Sequence, residues 1–421
     1  KAMTYTFSTA GALIGMALAI FLIIRKFHPA YSLIIGALIG GLIGSGGNLG
    51  LTVDSMMTGA GSMITSVLRI MTSGILAGAL IRTGSAEKIA QVIVRKLGSR
   101  RALFAVALAT MIICAVGVFI DISVITVAPI ALAIGKEAGY NKESLLLAMI
   151  GGGKAGNIIS PNPNTIAVSE AFDINLTSLI TRNIIPAICA LVVTVILSKM
   201  LAVKNGLAVT ESDLEQIDSH SLPSLAQAVA GPITVIVLLS LRQAGITIDP
   251  MIALPVGGLV CAFATGSLKK FGELSSFGLG KVTGVSILLL GTGTIAGIIK
   301  ASALQSDVVT VLNFFHLPAF LLAPIAGILM AGATASTTAG ATVAAQTFSK
   351  VLTSSGIPAI SAGAMIHAGS TVIDSLPHGS FFHATGGAVN MQIPKRMRLI
   401  AYEALVGLTS TIASVIIYLV A

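Results

Sequence analysis

Tryptophan is absent from this 421-residue chain, tyrosine occurs five times, and only 10% of positions are charged. A soluble domain carries about 25% charged residues, so this chain lacks the polar surface that water on all sides requires. With no Trp and little Tyr, no aromatic belt marks a membrane interface. The three cysteines, Cys114, Cys189 and Cys261, all lie in apolar stretches. Their odd count and their spacing fit neither a disulfide frame nor a metal site, and they read as small buried hydrophobes. A P-loop, a GxSxG elbow and an HExxH motif are also missing, so nothing points to ATP-driven work, a hydrolase or a bound cofactor. Acidic residues are few, 16 against 25 Lys and Arg, for a net charge of +9. In so apolar a chain that excess fits basic cytoplasmic loops better than a nucleic-acid partner.

What the chain has in quantity is apolar residues, 55% of the whole, with a mean hydropathy of +0.96 and 45 glycines. That composition predicts a polytopic protein of the lipid bilayer. Stretches of roughly spanning length run over 9–24, 30–48, 58–81, 181–203, 250–268, 282–301 and 399–420, with a shorter one at 228–241. The first runs into Arg25–Lys26 and reads as a span rather than a cleaved leader. Four further apolar segments, 102–138, 144–173, 317–352 and 358–391, are interrupted near the middle by polar, Gly or Pro residues. Lipid cannot satisfy the backbone at such breaks, so protein or a watery cavity must cover them. If Arg25–Lys26 is cytoplasmic and 102–138 is a re-entrant hairpin from that side, 18 of the 25 basic residues fall inside and five outside. Arg69 and Lys154 then lie within spans. The bias is that of the positive-inside rule. Ala86–Gly98 suits a helix lying on the interface, and 204–222, with Glu211, Asp213, Glu215 and Asp218, suits a cytoplasmic linker.

The chain divides into related halves, 1–203 and 223–421. Thr126-Val127-Ala128 matches Thr342-Val343-Ala344, and the same offset of 216 pairs Gly153 with Gly369 and Pro161 with Pro377. In each half a hairpin (102–138, 317–352) precedes a broken helix (144–173, 358–391). The expected fold is therefore an all-α polytopic membrane protein of inverted-repeat type with two re-entrant hairpins and two broken helices. In such proteins paired interruptions point to a midplane site.

Four polar interruptions are candidates for that site. They are the hairpin turns Asp121–Ser123 and Ser336–Thr338 and the breaks Ser160–Thr165 and Asp374–Ser380. Half-helix ends there would offer positive dipole ends to an anion, and hydroxyls and amides would add adaptable partners. Candidate substrate contacts are Ser123, Ser160, Asn162, Asn164, Thr165, Ser336, Thr337, Thr338, Ser375 and Ser380. Lys154, too deep to snorkel, is a candidate partner for an anionic substrate or for Asp121 or Asp374. Asp121, Asp374, His378 and His383 could carry a proton. HxxxxH is not a metal-ligand spacing. Gly151-Gly152-Gly153 lies in an apolar helix and fits close packing, and His367 fits a hydrogen-bonded packing role.

Two long segments, Gly151-Gly-Gly-Lys-Ala-Gly-Asn-Ile-Ile-Ser-Pro-Asn-Pro-Asn-Thr165 and Ile373-Asp-Ser-Leu-Pro-His-Gly-Ser-Phe-Phe-His-Ala-Thr-Gly-Gly387, resemble those of the gluconate:proton symporters, or gluconate permeases. The resemblance covers nearly the whole chain. It departs at Lys154, where His is expected in the most similar members. It implies membership of a larger ion transporter superfamily with a dimerising scaffold domain and an elevator-type transport domain. It also implies a homodimer in the bacterial inner membrane. The implied substrates are small hydroxy acids such as gluconate, with D-serine in one branch, moved with a proton. Sodium coupling within the same fold, an anion channel and a membrane-embedded hydrolase are the alternatives.

Overall fold

The computed structural model describes residues 7–204, 206–214, 222–241, 245–304, 306–307, 310, 314, 318–377 and 379–420. Apart from one bridge between Phe7 and Ser302, the regular structure among them is helical. Hydrocarbon offers no water to backbone N–H and C=O groups, and helices satisfy those groups within one segment.

The first half opens with α1 (Thr9–Ile24) and α2 (Pro29–Gly44), followed by α3 (Leu49–Gly61) and α4 (Ile64–Arg82). Glycines let α1 and α2 meet backbone to backbone. A Cβ on Gly15 would sit 2.5 Å from the Gly36 carbonyl oxygen, and one on Gly40 2.6 Å from that of Gly11. This is the small-residue packing by which helices associate in lipid. Helix α5 (Ser85–Leu97) buries Ala86, Ile89, Ala90 and Val94 and carries Lys88, Arg95 and Lys96 on its other positions. The chain bends by 102° between α5 and the segment Ser99–Ala115. Next come α6 (Ala102–Ala115) and α7 (Ile120–Ala138), then α8 (Lys142–Asn157) and α9 (Pro163–Ala171), and finally α10 (Leu176–Arg182) and α11 (Ile184–Ala202).

The second half begins after the linker. Helices α12 (Leu225–Ser240), α13 (Pro250–Ala264) and the 30-residue α14 (Phe271–Lys300) precede α15 (Leu322–Thr334) and α16 (Thr337–Ser354). The interrupted pair α17 (Ala359–Gly369) and α18 (Ser380–Gly387) follows, then α19 (Ile393–Met397) and α20 (Ile400–Val420). Among the described residues, four helical stretches are long and apolar enough to cross a membrane: Leu49–Arg82, Ile184–Ala202, Leu268–Lys300 and Ile393–Val420. Helices α1, α2, α12 and α13 are equally apolar but only 15 or 16 residues long, about 24 Å at 1.5 Å per residue.

The hairpin turns lie upstream of the polar residues expected to form them. In the first, the turn is Val116–Phe119, with Gly117 at φ +110°, and Asp121, Ile122 and Ser123 already occupy the first turn of α7. In the second, Ala335 takes the left-handed conformation (φ +46°) and Ser336 caps α16, its Oγ accepting from the Ala339 N–H at 3.3 Å. The physical reason is common to both. Acidic and hydroxyl side chains satisfy the free N–H groups and positive dipole end of a helix start, so they mark the residue after the turn rather than the turn. The first break is Ile158–Asn162, since Pro163 already begins α9, and the second spans Ser370–Gly379.

All sixteen residues of α8 are buried, and Gly151-Gly152-Gly153 shows how neighbours come so near. A Cβ at Gly152 would meet the Ala107 carbonyl oxygen at 2.0 Å, and one at Gly151 would meet Thr194 Oγ1 at 2.2 Å. The linker is tied to the start of α8. Lys142 Nζ lies 2.6 Å from Asp213 Oδ1, and the Leu207 N–H donates to Glu143 Oε2 at 2.8 Å. Burial alone would raise the pKa of Asp213. Hydrogen bonds from Lys142 and from the Thr210 N–H and hydroxyl outweigh it and hold the carboxyl below the usual carboxylate range. Glu215 and Asp218 lie outside the described residues.

Candidate functional site

Both hairpins and both breaks reach one cavity of about 270 Å³. What each contributes is a helix N-terminus: Phe119–Ile122 at the start of α7, Asn162 and Asn164 at α9, Ser336–Thr338 at α16, and Ser380–Phe381 at α18. The first N–H groups of a helix have no partner within it, and the helix dipole adds partial positive charge at that end. Four such ends around one buried space make an anion-binding environment.

The first break is closed by its own amides. Asn162 Oδ1 accepts from the N–H groups of Asn164 (3.0 Å) and Thr165 (3.2 Å), capping α9. Asn157, the last residue of α8, collects the others. Its Oδ1 accepts from Asn162 Nδ2 at 2.6 Å and Asn164 Nδ2 at 2.9 Å. Both donors point at that oxygen, which fixes the amide orientation and leaves Asn157 Nδ2, buried at the cavity, without a partner among the described residues. Thr338 of the second hairpin donates to Asn164 Oδ1, so the amide cluster touches both halves of the chain.

The second break is held from outside. Asp374 Oδ1 lies 2.7 Å from Lys154 Nζ and accepts from Ser375 Oγ at 2.9 Å; its Oδ2 accepts from Thr337 Oγ1 at 2.6 Å. Lys154 also donates to the Thr371 carbonyl oxygen at 2.5 Å. Lys154 and Asp374 are 2% and 3% exposed, so each charge depends on the other and on these hydrogen bonds. The turn of the second hairpin sits directly on this break: a Cβ at Gly379 would meet the Ala335 carbonyl oxygen at 2.5 Å. Helix α18 is anchored by Arg396, which pairs with the fully buried Glu403, donates to Thr385 Oγ1 at 3.2 Å and covers the Phe382 ring.

Of the residues expected at the site, Asp121, Asn162, Asn164, Ser336, Thr337, Thr338, Asp374 and Ser380 line the cavity. Others are close by but turned to structural partners. Ser123 Oγ donates to the Phe119 carbonyl oxygen at 2.9 Å, Thr165 faces Asn162, Ser375 serves Asp374, and Lys154 lies behind the pair it forms. Ser160 Oγ is buried with no partner among the described residues. His383 lies outside the cavity lining, its Nε2 within 2.8 Å of the Pro377 carbonyl oxygen, because one turn into α18 it faces the break's exposed side. His378 lies outside the described residues. His367 is fully buried, but neither ring nitrogen has a partner among the described residues, unlike the hydrogen-bonded packing role expected of it.

Asn157 and Lys281 belong to the cavity but were not among the expected residues. Lys281, on α14, stands beside the Phe277 ring (5.2 Å) and is the cavity's one cationic lining residue among those described. The signal for Asn157 was present as the spacing Asn157-x4-Asn162-x-Asn164. Lys281 carried none, because a lysine near the end of a span reads as loop charge.

A helical protein built around spanning helices, two hairpins and two broken helices that meet at one polar cavity belongs to the multi-pass membrane transporters. The sequence matches the model of the GntP family permeases over residues 8–421, and the chain belongs to that family. It is 50% identical over 414 residues to an uncharacterized transporter of Haemophilus influenzae, covering 98% of both chains. It is also 27% identical over 177 residues to a gluconate permease of Bacillus licheniformis, covering 41% of this chain and 38% of the relative. Over 182 residues it is 21% identical to the low-affinity gluconate transporter of Escherichia coli K12, covering 42% and 40%. Among solved structures, the YdaH transporter of Alcanivorax borkumensis, described as having an unusual topology, superposes with a TM-score of 0.64 at 15% identity. The match covers 98% of each chain and shows likeness of fold. A permease releases its substrate unchanged, so this protein is a transporter and not an enzyme.

Proposed function

We propose that this permease imports a small hydroxy-carboxylate, gluconate or a related sugar acid, together with a proton. The observation that carries the reading is the convergence of four helix N-termini on one cavity of about 270 Å³. Ligand pockets generally run from about 300 to 1,000 Å³, so this one suits a compact acid. In this reading the carboxylate lies among the helix starts, and the hydroxyls meet Asn157 Nδ2, Asn164 and Ser336–Thr338 at the start of α16. Named gluconate transporters among the relatives support the substrate class.

For the proton, Asp121 is the best placed of the three described candidates, Asp121, Asp374 and His383. It lines the cavity at the start of α7, and no ion pair forms on it among the described residues, whereas Asp374 is occupied by Lys154. A proton taken up with a monocarboxylate cancels its charge and lowers the cost of carrying it through the membrane. The 216-residue offset pairs Asp121 with Thr337 and Asn164 with Ser380, all four at the cavity. This favours two repeats of inverted topology, divided by the 204–222 linker, with the hairpins and broken helices moving together as a transport domain. The same reading places the protein in a bacterial inner membrane as a homodimer.

Proteoliposomes with independently set pH and sodium gradients test the proposal. Labelled gluconate should accumulate with an inward proton gradient and not with sodium alone. Asp121→Asn should retain exchange of internal for external substrate but lose accumulation driven by the pH gradient. Sodium-driven uptake indifferent to pH would overturn the proton reading.

A further inference from the structure

Two cavities away from the substrate site adjoin each other across shared lining residues. One, about 640 Å³, is bordered by Asn175, Ser178, Thr181 and Arg182 of the α10 region; the other, about 280 Å³, is bordered by Val116, Ile159, Pro161, Pro232 and Val235. Thr177, Leu239 and Ser240 line both. The combined groove is polar and cationic at one end and almost wholly apolar along the rest. Arg182 Nη2 donates to Ser361 Oγ at 3.2 Å and to the Ile417 carbonyl oxygen at 3.4 Å, and no carboxylate pairs with it among the described residues. Ile236 of α12, which lines the groove, and its neighbours Ile233 and Val237 are exposed, as expected of a face turned to lipid.

We propose that this groove is a binding site for one anionic phospholipid of the surrounding bilayer, its phosphate on Arg182 and one acyl chain along α12. Charge complementarity favours that occupant. Arg182, bonded to a hydroxyl and a carbonyl but to no carboxylate among the described residues, keeps its charge for an anion, and phosphate matches its fork of donors. Length agrees as well. From Ser240 to Pro232 the groove follows α12 for about 12 Å, close to one leaflet of a hydrocarbon core about 30 Å thick. At its inner end the chain would lie over Ile159–Pro161, the first break seen from behind. Breaks in a membrane helix persist only where something covers them, and Pro161, with no N–H to leave unpaired, suits an apolar cover. The lipid would therefore buttress the substrate site's first break from outside.

Native mass spectrometry of the protein released from phosphatidylcholine nanodiscs containing phosphatidylglycerol tests this. The wild type should retain one phosphatidylglycerol in preference to phosphatidylcholine. Arg182→Ala should weaken that retention about tenfold, the effect of one lost charge-assisted hydrogen bond, and Arg182→Lys should weaken it less. Leu239→Trp, which fills the groove and leaves Arg182 in place, should reduce retention of the same lipid. Undiminished retention in both Arg182→Ala and Leu239→Trp would overturn the proposal. So would displacement of the lipid by inorganic phosphate, or disulfide cross-linking of two copies through Leu239→Cys, which would show that a second chain fills the groove.

Discussion

The two breaks in this protein serve one cavity but are stabilised in opposite ways. The first, Ile158–Asn162, is neutral and held mainly locally: Asn157, Asn162 and Asn164 hydrogen-bond to one another within eight residues of chain. The second, Ser370–Gly379, carries Asp374 and is held by groups far away in sequence, Lys154 and Thr337. The amide cluster takes most of its hydrogen bonds from its own segment, with Thr338 of the second hairpin as its one hydrogen-bond partner from the other half among the described residues. A cross-braced carboxylate is only as well placed as the elements that reach it. The first break therefore depends mainly on its own segment, and the second on an ion pair and a hydrogen bond from distant segments.

The largest effect should come from the brace. Lys154→Met leaves Asp374 as a buried charge with no cation, a change that costs about 3–5 kcal/mol. Thermal unfolding of the purified protein should show it, and the double variant Lys154→Met with Asp374→Leu should recover most of the loss. A double variant no more stable than the singles would mean that the pair is not coupled. Next in size is Gly379→Val. Its side chain would run into the Ala335 carbonyl, 2.5 Å from the first added carbon, and should separate the second break from its hairpin. Substrate binding should fall more than stability does.

Asn162→Ala should cost less, about 1–2 kcal/mol, the size of a lost helix cap. Because the cluster is local, the damage should stay at the first break, with weakened substrate binding and intact unfolding cooperativity. If Asn162→Ala destabilised the protein as much as Lys154→Met, the contrast between the breaks would fail. Smallest is the pH response of the linker clamp. Asp213 has a folded pKa below its unfolded value of about 3.9. Its stabilising contribution is therefore complete above that value and is lost as pH falls through the folded one. Protection factors of the Leu207 and Thr210 amides, corrected for the intrinsic pH dependence of exchange, should fall in acid, and Asp213→Asn should remove that fall.

Much of this site could be read from sequence, because polar interruptions in apolar helices have few explanations. Asn162, Asn164, Thr338 and Asp374 announced themselves that way. Finer placement was hidden by the physics of helix starts. Asp121 and Thr337 looked like turn residues but begin helices, since side chains that accept from free N–H groups favour the position just after a bend. The partner of Lys154 needed three dimensions, because Asp374 is 220 residues away in sequence. Asn157 was obscured by the glycine-rich helix that precedes it. Lys281 came from a span with no interruption at all, and only the packing of α14 brings it to the cavity.

Helix N-termini at the cavity should select a carboxylate. The most direct measurement is equilibrium binding of labelled gluconate to the purified protein, in competition with unlabelled gluconate and with sorbitol, its uncharged six-carbon counterpart. Gluconate should displace the label and sorbitol, lacking only the carboxylate, should not. Displacement by sorbitol as effective as by gluconate would contradict the account.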